Sequence, residues 1–183
     1  AVAASAITLE SGLWSLSNWG GVLVATISNG KTFTWDSTIA ARFTTRASTT
    51  TTSYVTALTG TEGNPTASRM TLISPTTRHL IHLGTETTVG TASSQDDMFL
   101  RFSDQEEINT YAPSATNSAG TYRLQDGSKI MGGIVAKENI LIWTDNALYS
   151  MKFVGAPYTF GFEQVGTNCG LIGQNAVVEI DGV

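Results

Sequence analysis

The only two histidines of the 183-residue sequence, His79 and His82, are the side chains best suited to proton transfer or metal binding near neutral pH. They lie three residues apart on a predicted strand, so they project to opposite faces of its sheet. Without a bulge they cannot ligate the same metal ion. We therefore predict no metal site and no cofactor, and expect two ordinary core or solvent-facing histidines.

A run of carboxylates between Asp96 and Glu107 could supply a calcium site or a glycosidase acid/base pair. The run has no Asp-x-Asp-x-Asp-Gly loop, and proximity in sequence does not set the carboxylate separation that catalysis needs. We expect a solvated loop, with one or two helical turns where Ser103 and Glu106 have capping-box spacing. A polysaccharide-degrading enzyme that uses the acids around Asp96 and Asp104 is kept as an alternative.

The remaining reactive candidates carry no catalytic signature. Cys169 is the only cysteine, so no intrachain disulfide can form, and it is expected to be a buried spectator. The glycine-rich stretch from Gly166 to Gly173 lacks the Gly-Lys-Ser/Thr of a phosphate loop and is predicted to connect strands. The sequence thus predicts a protein that is not an enzyme.

Two tryptophans motivate a binding function of a different class. Trp14 and Trp19 have polar and glycine-rich neighbours, which could leave an aromatic ring exposed for stacking on a sugar. A glycan-binding receptor module of a virion or cell surface is therefore the second functional hypothesis.

Charge and hydropathy exclude other classes of partner. The formal net charge is −5, and the ten Lys and Arg residues are scattered, which disfavours a nucleic-acid-binding surface. No apolar run approaches the ~20 residues that span a bilayer, so no membrane anchor is expected. The absence of an initiator Met and the final Asp181-Gly182 turn signal after an apolar strand suggest a fragment of a longer chain.

The elements that must position these residues are predicted to be antiparallel hairpins. The chain has 28 Thr and 18 Gly but only four Pro, a balance that favours strands and turns and predicts an all-β fold over residues 1–183. Three hairpins can be read, the first with a turn at Asn29-Gly30. Their strands are Val22–Ile27 with Phe33 to Trp35, His79–Leu83 with Met98–Phe102, and Ile140–Trp143 with Tyr149 to Phe153.

A short motif recurs where a strand of each hairpin ends. It consists of an aromatic residue, usually a hydroxyl residue, and an aspartate: Trp35-Asp36, Phe102-Ser103-Asp104 and Trp143-Thr144-Asp145. The aspartates are 68 and 41 residues apart, and the shorter interval matches one propeller blade. The longer interval requires an insertion, for which the Thr/Ser-rich residues 44–66 are the candidate.

Strands that are apolar on both faces, such as Ile140–Trp143, favour blades stacked around an axis over a β-sandwich. A sandwich of similar hairpins remains the alternative from pattern alone. Trp35, Trp143, Tyr149 and Phe153 are expected in the core, because a buried aromatic ring removes about 150–250 Å² from water.

The stretch from residue 98 to residue 173 resembles the β-propeller region of bacteriophage tail proteins, especially the nozzle or hub (tail tubular) proteins of short-tailed phages. The resemblance rests on Phe102-Ser103-Asp104-Gln105-Glu106, Ala119-Gly120-Thr121, Leu124-x-Asp126-Gly127, "ILIWTDNALYSM" and "PYTFGFEQVGTNCGLI". Phe102 stands where the family often has Trp.

The resemblance implies a virion structural protein located in the phage tail. Such proteins form a cyclic homo-oligomer, usually a hexamer, below the portal and adaptor, and genomic DNA passes through the ring without specific binding. The net negative charge fits such a channel. The resemblance supplies no catalytic residue, so assembly and gating are the expected functions.

Overall fold

The structure is a computed structural model that describes residues 12–36, 56–57 and 64–180. It confirms the all-β prediction, because these residues contain strands, turns and one short 3-10 turn at Ala92–Ser94 but no α-helix. The strands of the described residues are β1 (Trp14–Trp19), β2 (Val22–Ile27), β3 (Thr32–Asp36), β4 (Thr56–Ala57), β5 (Met70–Ile73), β6 (Leu80–Leu83), β7 (Phe99–Phe102), β8 (Gly120–Arg123), β9 (Ile130–Ala136), β10 (Asn139–Thr144), β11 (Ala147–Gly155) and β12 (Thr159–Thr167).

These strands form three separate four-stranded sheets in chain order. The first sheet contains β1–β4, the second β5–β8 and the third β9–β12, and in each sheet every strand pairs antiparallel with the next. Each sheet is therefore a meander, built from local connections without a crossover.

All three predicted hairpins are confirmed as β2–β3, β6–β7 and β10–β11. Asn29 adopts a φ of 58° at the first turn, a left-handed conformation that Asn tolerates better than most residues. In the third hairpin Ile140 lies opposite Met151 and Ile142 opposite Tyr149, and all four are buried on one face. The other face of β10 is half-buried.

The main core lies between the second and third sheets. Alternate residues of β6 and β7 meet alternate residues of β10 and β11, as the two-residue period of a strand requires. The buried cluster contains Met70, Ile81, Leu83, Met98, Leu100, Phe102, Leu124, Ile130, Ile140, Ile142, Ala147, Tyr149, Met151 and Phe160.

The opposite face of the second sheet packs against the first sheet through a smaller and more polar interior. Val24, Leu80 and Tyr111 form its apolar cluster. Beside them the Thr26 hydroxyl bonds those of Thr32 and Thr71, each at 2.8 Å, and so links the two sheets. The second sheet is thus covered on both faces.

The first strands of the three sheets approach one another: β5 contacts both β1 and β9. A cavity of about 220 Å³ lies where they meet. Its lining includes Trp14 and Leu16 of β1, Leu72 of β5 and Gly133 of β9. The second strands begin at Val22, Leu80 and Asn139, so 58 and 59 residues separate successive sheets.

The capping-box prediction is wrong, because no helix forms at residues 103–109. The Ser103 hydroxyl instead accepts a hydrogen bond from the Leu80 amide at 2.9 Å and donates one to the Asp104 carbonyl. Glu106 has a φ of 58°, which a right-handed helix cannot accommodate.

Two other expectations need correction. Phe153 was expected in the core but is 39% exposed, because it lies near the end of β11, past the last residue that pairs with β10, whereas Tyr149 is 4% exposed as expected. Trp35 and Trp143 are half-buried. The strand expected near residues 175–180 is not formed.

Several expectations fall on residues outside those described. They concern the two ends, residues 1–11 and 181–183, and most of the 44–66 insertion, of which only 56–57 and 64–66 are described. In that stretch Thr56–Ala57 pairs with β3 as β4.

Candidate functional site

The motif residues all lie at strand ends, but not at equivalent strands. Trp35-Asp36 ends β3 and Phe102 ends β7, each the third strand of its sheet, whereas Trp143-Thr144 ends β10, the second strand of the third sheet. The intervals of 68 and 41 residues therefore do not measure the distance from sheet to sheet. The second and third motifs share one feature: the aspartate that follows the strand end bonds a loop serine.

Asp104 holds a neighbouring loop through Ser118. Its Oδ1 accepts the Ser118 amide at 2.8 Å and the Ser118 hydroxyl at 2.6 Å, and also the Gln105 amide at 2.8 Å. Burial raises the pKa of the Asp104 carboxyl, but these hydrogen bonds outweigh burial and bring the pKa below its ordinary value. The carboxylate therefore stays ionised and bonded near neutral pH.

Asp145 makes the same arrangement with Ser128 at the end of β10. Its Oδ1 accepts the Ser128 amide at 2.7 Å, and its Oδ2 accepts the Ser128 hydroxyl in a very short contact. These bonds, led by the Ser128 hydroxyl, lower the pKa of the Asp145 carboxyl. Each carboxylate thus clamps the backbone and side chain of a serine 14 or 17 residues away.

The hydroxyl residue of the motif ties the strand end to its own turn. Thr144 Oγ1 accepts the amides of Asn146 and Ala147 at 3.1 and 2.8 Å and donates to the Asp126 carbonyl. Thr144 thus holds the turn that follows β10 through local backbone amides, as short polar side chains commonly do in turns. Gly127 has a φ of 121° and lies so close to Thr144 that a Cβ there would be 2.6 Å from its Oγ1.

His79 lies in a chain of hydrogen bonds that ends at Asp104. Because Ser118 donates its hydroxyl proton to the carboxylate, its oxygen accepts the Nε2 proton of His79 at 2.9 Å. His79 Nδ1 lies 2.7 Å from Thr77 Oγ1, which lies 2.8 Å from Ser74 Oγ. Burial lowers the pKa of His79 to about 4, and Asp104 only partly opposes it.

His79, Ser118 and Asp104 have the composition of a hydrolytic triad but not its order. In a triad the carboxylate orients the histidine and the histidine takes the serine proton. Here Ser118 stands in the middle and gives its proton to Asp104, and the fully buried His79 ring packs edge-on against Phe160 with centroids 5.0 Å apart. This serine is not poised as a nucleophile.

His82 belongs to a second buried polar network on the opposite face of the sheet. Its Nδ1 lies 2.8 Å from Ser68 Oγ and its Nε2 lies 3.0 Å from the Tyr111 hydroxyl. Burial, and secondarily the nearby Arg101 guanidinium, lower the pKa of His82 to about 3. The two histidines thus have separate partners, as their spacing predicts.

Arg101 and Glu86 extend this network to the loop after β6. Arg101 is 5% exposed and donates to the carbonyls of Tyr111, Glu86 and Thr87. The fully buried Glu86 carboxylate accepts the amides of Thr66 and Thr91. Buried charges with this many partners serve to order loops.

The carboxylates considered for catalysis are held by different partners. Asp96 Oδ2 lies 2.7 Å from Arg123 Nε, and Asp97 Oδ2 lies 3.4 Å from Arg69 Nη1. Burial raises the pKa of Asp96, but the Met98 amide and Arg123 bring the pKa below its ordinary value. A general acid needs a raised pKa, so Asp96 is poorly suited to that role.

Trp14 and Trp19 have different environments. Trp14 is 49% exposed, and its ring lies 6.2 Å from that of Phe33. The ring of Trp19 is half-buried, with the Arg78 guanidinium 5.1 Å above it, so only Trp14 offers an open ring. Cys169 is exposed rather than buried, because it lies in the irregular segment after β12, where its amide bonds the Asn146 carbonyl.

Sequence reasoning did not find Ser118, Ser128, Tyr111 or Arg101. Within the described residues, no three His, Cys, Asp or Glu side chains are grouped closely enough to hold a metal ion. In the same part of the chain no helix has the length and hydropathy to cross a membrane. No protein-family model and no curated protein matches this chain.

Proposed function

We propose that this chain is a β-propeller segment of a bacteriophage tail protein of the nozzle or hub type and acts as a structural component of the virion. The observation that carries the proposal is the run of three four-stranded antiparallel meanders in chain order. Propeller blades are four-stranded sheets of this kind, arranged around an axis. An enzyme or a small binding module does not require such repetition.

The packing of the sheets supports the same proposal. The second sheet is covered on one face by the first sheet and on the other by the third. The first strand of the second sheet contacts the first strands of both neighbours, as expected if first strands lie nearest a common axis. The interval of 58 to 59 residues between second strands is longer than a minimal blade because of long loops such as residues 84–98.

The residues that carry the resemblance have structural contacts. Phe102 lies in the main core, Asp104 and Asp145 each clamp a loop serine, and Asp126 accepts bonds from Asn146 and Gln164. Side chains that use their hydrogen bonds to hold loops in place are suited to a rigid scaffold.

The charge distribution is compatible with a channel component that lets DNA slide. Arg69, Arg78 and Arg123 each pair with a carboxylate, which reduces their attraction for phosphate. In this proposal the chain forms a cyclic homo-oligomer, a hexamer by resemblance, that contacts portal, adaptor and other tail proteins.

The test is the oligomeric state of the full-length protein. Light scattering after gel filtration at micromolar concentration should give a cyclic oligomer, and negative-stain micrographs should show rings with a central opening. A clean monomer with no rings would refute the nozzle or hub assignment.

One observation favours the glycan-binding module as a second candidate. The half-exposed Trp14 lines the 220 Å³ cavity together with the amide side chains of Gln174 and Asn175, and aromatic faces with amides are suited to sugars. Trp14→Ala should abolish binding on a glycan array, whereas Tyr158→Ala, an exposed aromatic in another sheet, should not. Silence of the unmodified protein across the array would contradict this candidate.

A further inference from the structure

The outer edge of the third sheet is long, and its residues from Phe160 to Gln164 pair with β11 without a break in register. β12 runs for nine residues, Thr159–Thr167, and within the described residues it pairs only with β11. An edge strand presents a row of backbone N–H and C=O groups that can pair with another chain, and proteins commonly block such edges with Pro or Lys. β12 contains neither residue.

An apolar groove of about 360 Å³ lies beside this edge, where β12 approaches the outer strand β8 of the second sheet. Tyr122 of β8 stacks on Phe162 of β12, with ring centroids 4.1 Å apart and planes 4° apart. The other lining residues are Phe102, Thr121, Val154, Tyr158, Phe160 and Gly161.

The groove remains open to solvent although it is aromatic. Tyr158 is 78% exposed, Val154 55% and Tyr122 37%. Gly161, at the third position of β12, has no side chain to block the edge from the groove. A strand added to β12 could therefore insert apolar side chains into the groove while its backbone pairs with the edge.

The charge at the centre of β12 argues against a second copy of this chain as the occupant. Glu163 is the middle residue of the nine and is exposed. Full-length antiparallel pairing of two β12 strands would place the two Glu163 carboxylates opposite each other, which is destabilising. A different chain with a basic residue at that position would form a favourable cross-strand pair.

We propose that β12 and the adjoining groove bind an extended segment of a different protein, which adds as a fifth strand to the third sheet. The segment has Lys or Arg opposite Glu163 and apolar side chains opposite Phe160 and Phe162, which share the other face of the strand. This inference concerns the outer rim of the third sheet and does not depend on the proposed function.

The probe is a synthetic peptide, Thr-Ser-Lys-Val-Thr-Leu-Thr, with blocked ends and a fluorescent label. Paired antiparallel, its Lys faces Glu163, and its Val and Leu face Phe162 and Phe160. Fluorescence anisotropy should show saturable binding, and amide shifts in NMR spectra should cluster on β12 and β8. The same peptide with N-methyl groups on the alternate amides that face β12 keeps its side chains but cannot pair with the edge, so it should not bind.

A charge swap tests the register. Glu163→Lys should weaken binding of the Lys peptide about two- to five-fold, and a peptide with Glu in place of Lys should regain that factor on the variant. Glu138→Lys, an exposed change on the turn between β9 and β10, is the matched control and should leave both affinities unchanged. Tyr158→Ala should weaken both peptides on either background.

Three outcomes would overturn the proposal: no binding of either peptide at millimolar concentration, equal binding of the N-methylated peptide, or shifts that lie away from β12. Binding of glycans in the groove, with no binding of the peptides, would assign the groove to sugar recognition instead. Circular dichroism of each variant separates loss of the site from loss of the fold.

Discussion

At the scale of single residues, Asp104 is the clearest test of the loop clamps. Asp104→Ala removes the acceptor for the Ser118 amide and hydroxyl and for the Gln105 amide. Hydrogen bonds to a charged partner contribute about 1.5–3 kcal/mol, so we expect the free energy of unfolding to fall by about 1–3 kcal/mol. Urea denaturation measures this change. Glu138→Ala, on an exposed turn, is the control and should change stability by less than about 0.5 kcal/mol; equal effects would contradict the clamp.

Because two histidines are buried, we expect the folded chain to lose stability in acid. The pKa of His79 is about 4 and that of His82 about 3 in the folded chain, both below the ordinary 6.5, so the unfolded chain binds protons first as pH falls. Stability should therefore be highest above pH 6.5 and fall below it, by up to about 1.4 kcal/mol per pH unit for each histidine down to about pH 4. The pKa values of Asp96 and Asp104 are lowered, so the stability that these carboxylates contribute is lost only below this pH window.

Urea unfolding at pH 7, 6 and 5 measures this slope. His82→Gln, which keeps hydrogen-bonding atoms but does not titrate, should reduce the slope by about half. A flat profile for the unmodified protein would show that the histidines are not buried as neutral rings.

Local chemistry at single residues was predictable, whereas long-range partners were not. The Thr144 turn bonds lie within three residues of one another, so sequence alone suggests them. Ser118 and Ser128 are 14 and 17 residues from the aspartates they bond, and no short pattern encodes that distance. The partial exposure of Phe153, whose ring contacts His79 and Phe160, likewise could not be read from local sequence.

At the scale of elements, the hairpins were predicted because turn residues and alternation are local signals. The short strands β5 and β8 could not be predicted, and neither could the order of strands within each sheet. Both depend on pairing between residues that are far apart in the sequence. The repeat interval was misjudged for this reason, since the motif falls on the third strand in two sheets and on the second strand in the last. The helix expected at Ser103 does not form, because the Ser103 hydroxyl accepts a hydrogen bond from the distant Leu80 amide instead of capping a helix.

Leu83 tests the contact between the second and third sheets. It is fully buried in the main core, and Leu83→Ala should lower the free energy of unfolding by about 2–5 kcal/mol. Leu16→Ala on β1 is the matched control, because Leu16 is 64% exposed and should cost less than about 0.5 kcal/mol. Thermal melts followed by circular dichroism compare the two; similar losses would mean that the sheets are not packed as described.

At the scale of the whole molecule, three similar sheets stack so that the inner strands of the middle sheet are covered on both faces, whereas its outer strand β8 is largely exposed. The buried histidines between them are engaged in hydrogen-bond networks, and Asp96 and Asp104, whose pKa values are lowered, are poorly suited to act as a general acid. Together with the resemblance over residues 98–173, this arrangement is the basis for proposing a structural role in a phage tail.

The most direct test of that role is a cryo-electron microscopy reconstruction of the full-length protein. Our account predicts a closed ring in which β1, β5 and β9 lie nearest the axis of a propeller within each subunit. A monomer, or a map in which the sheets face each other as a sandwich with no common axis, would contradict it.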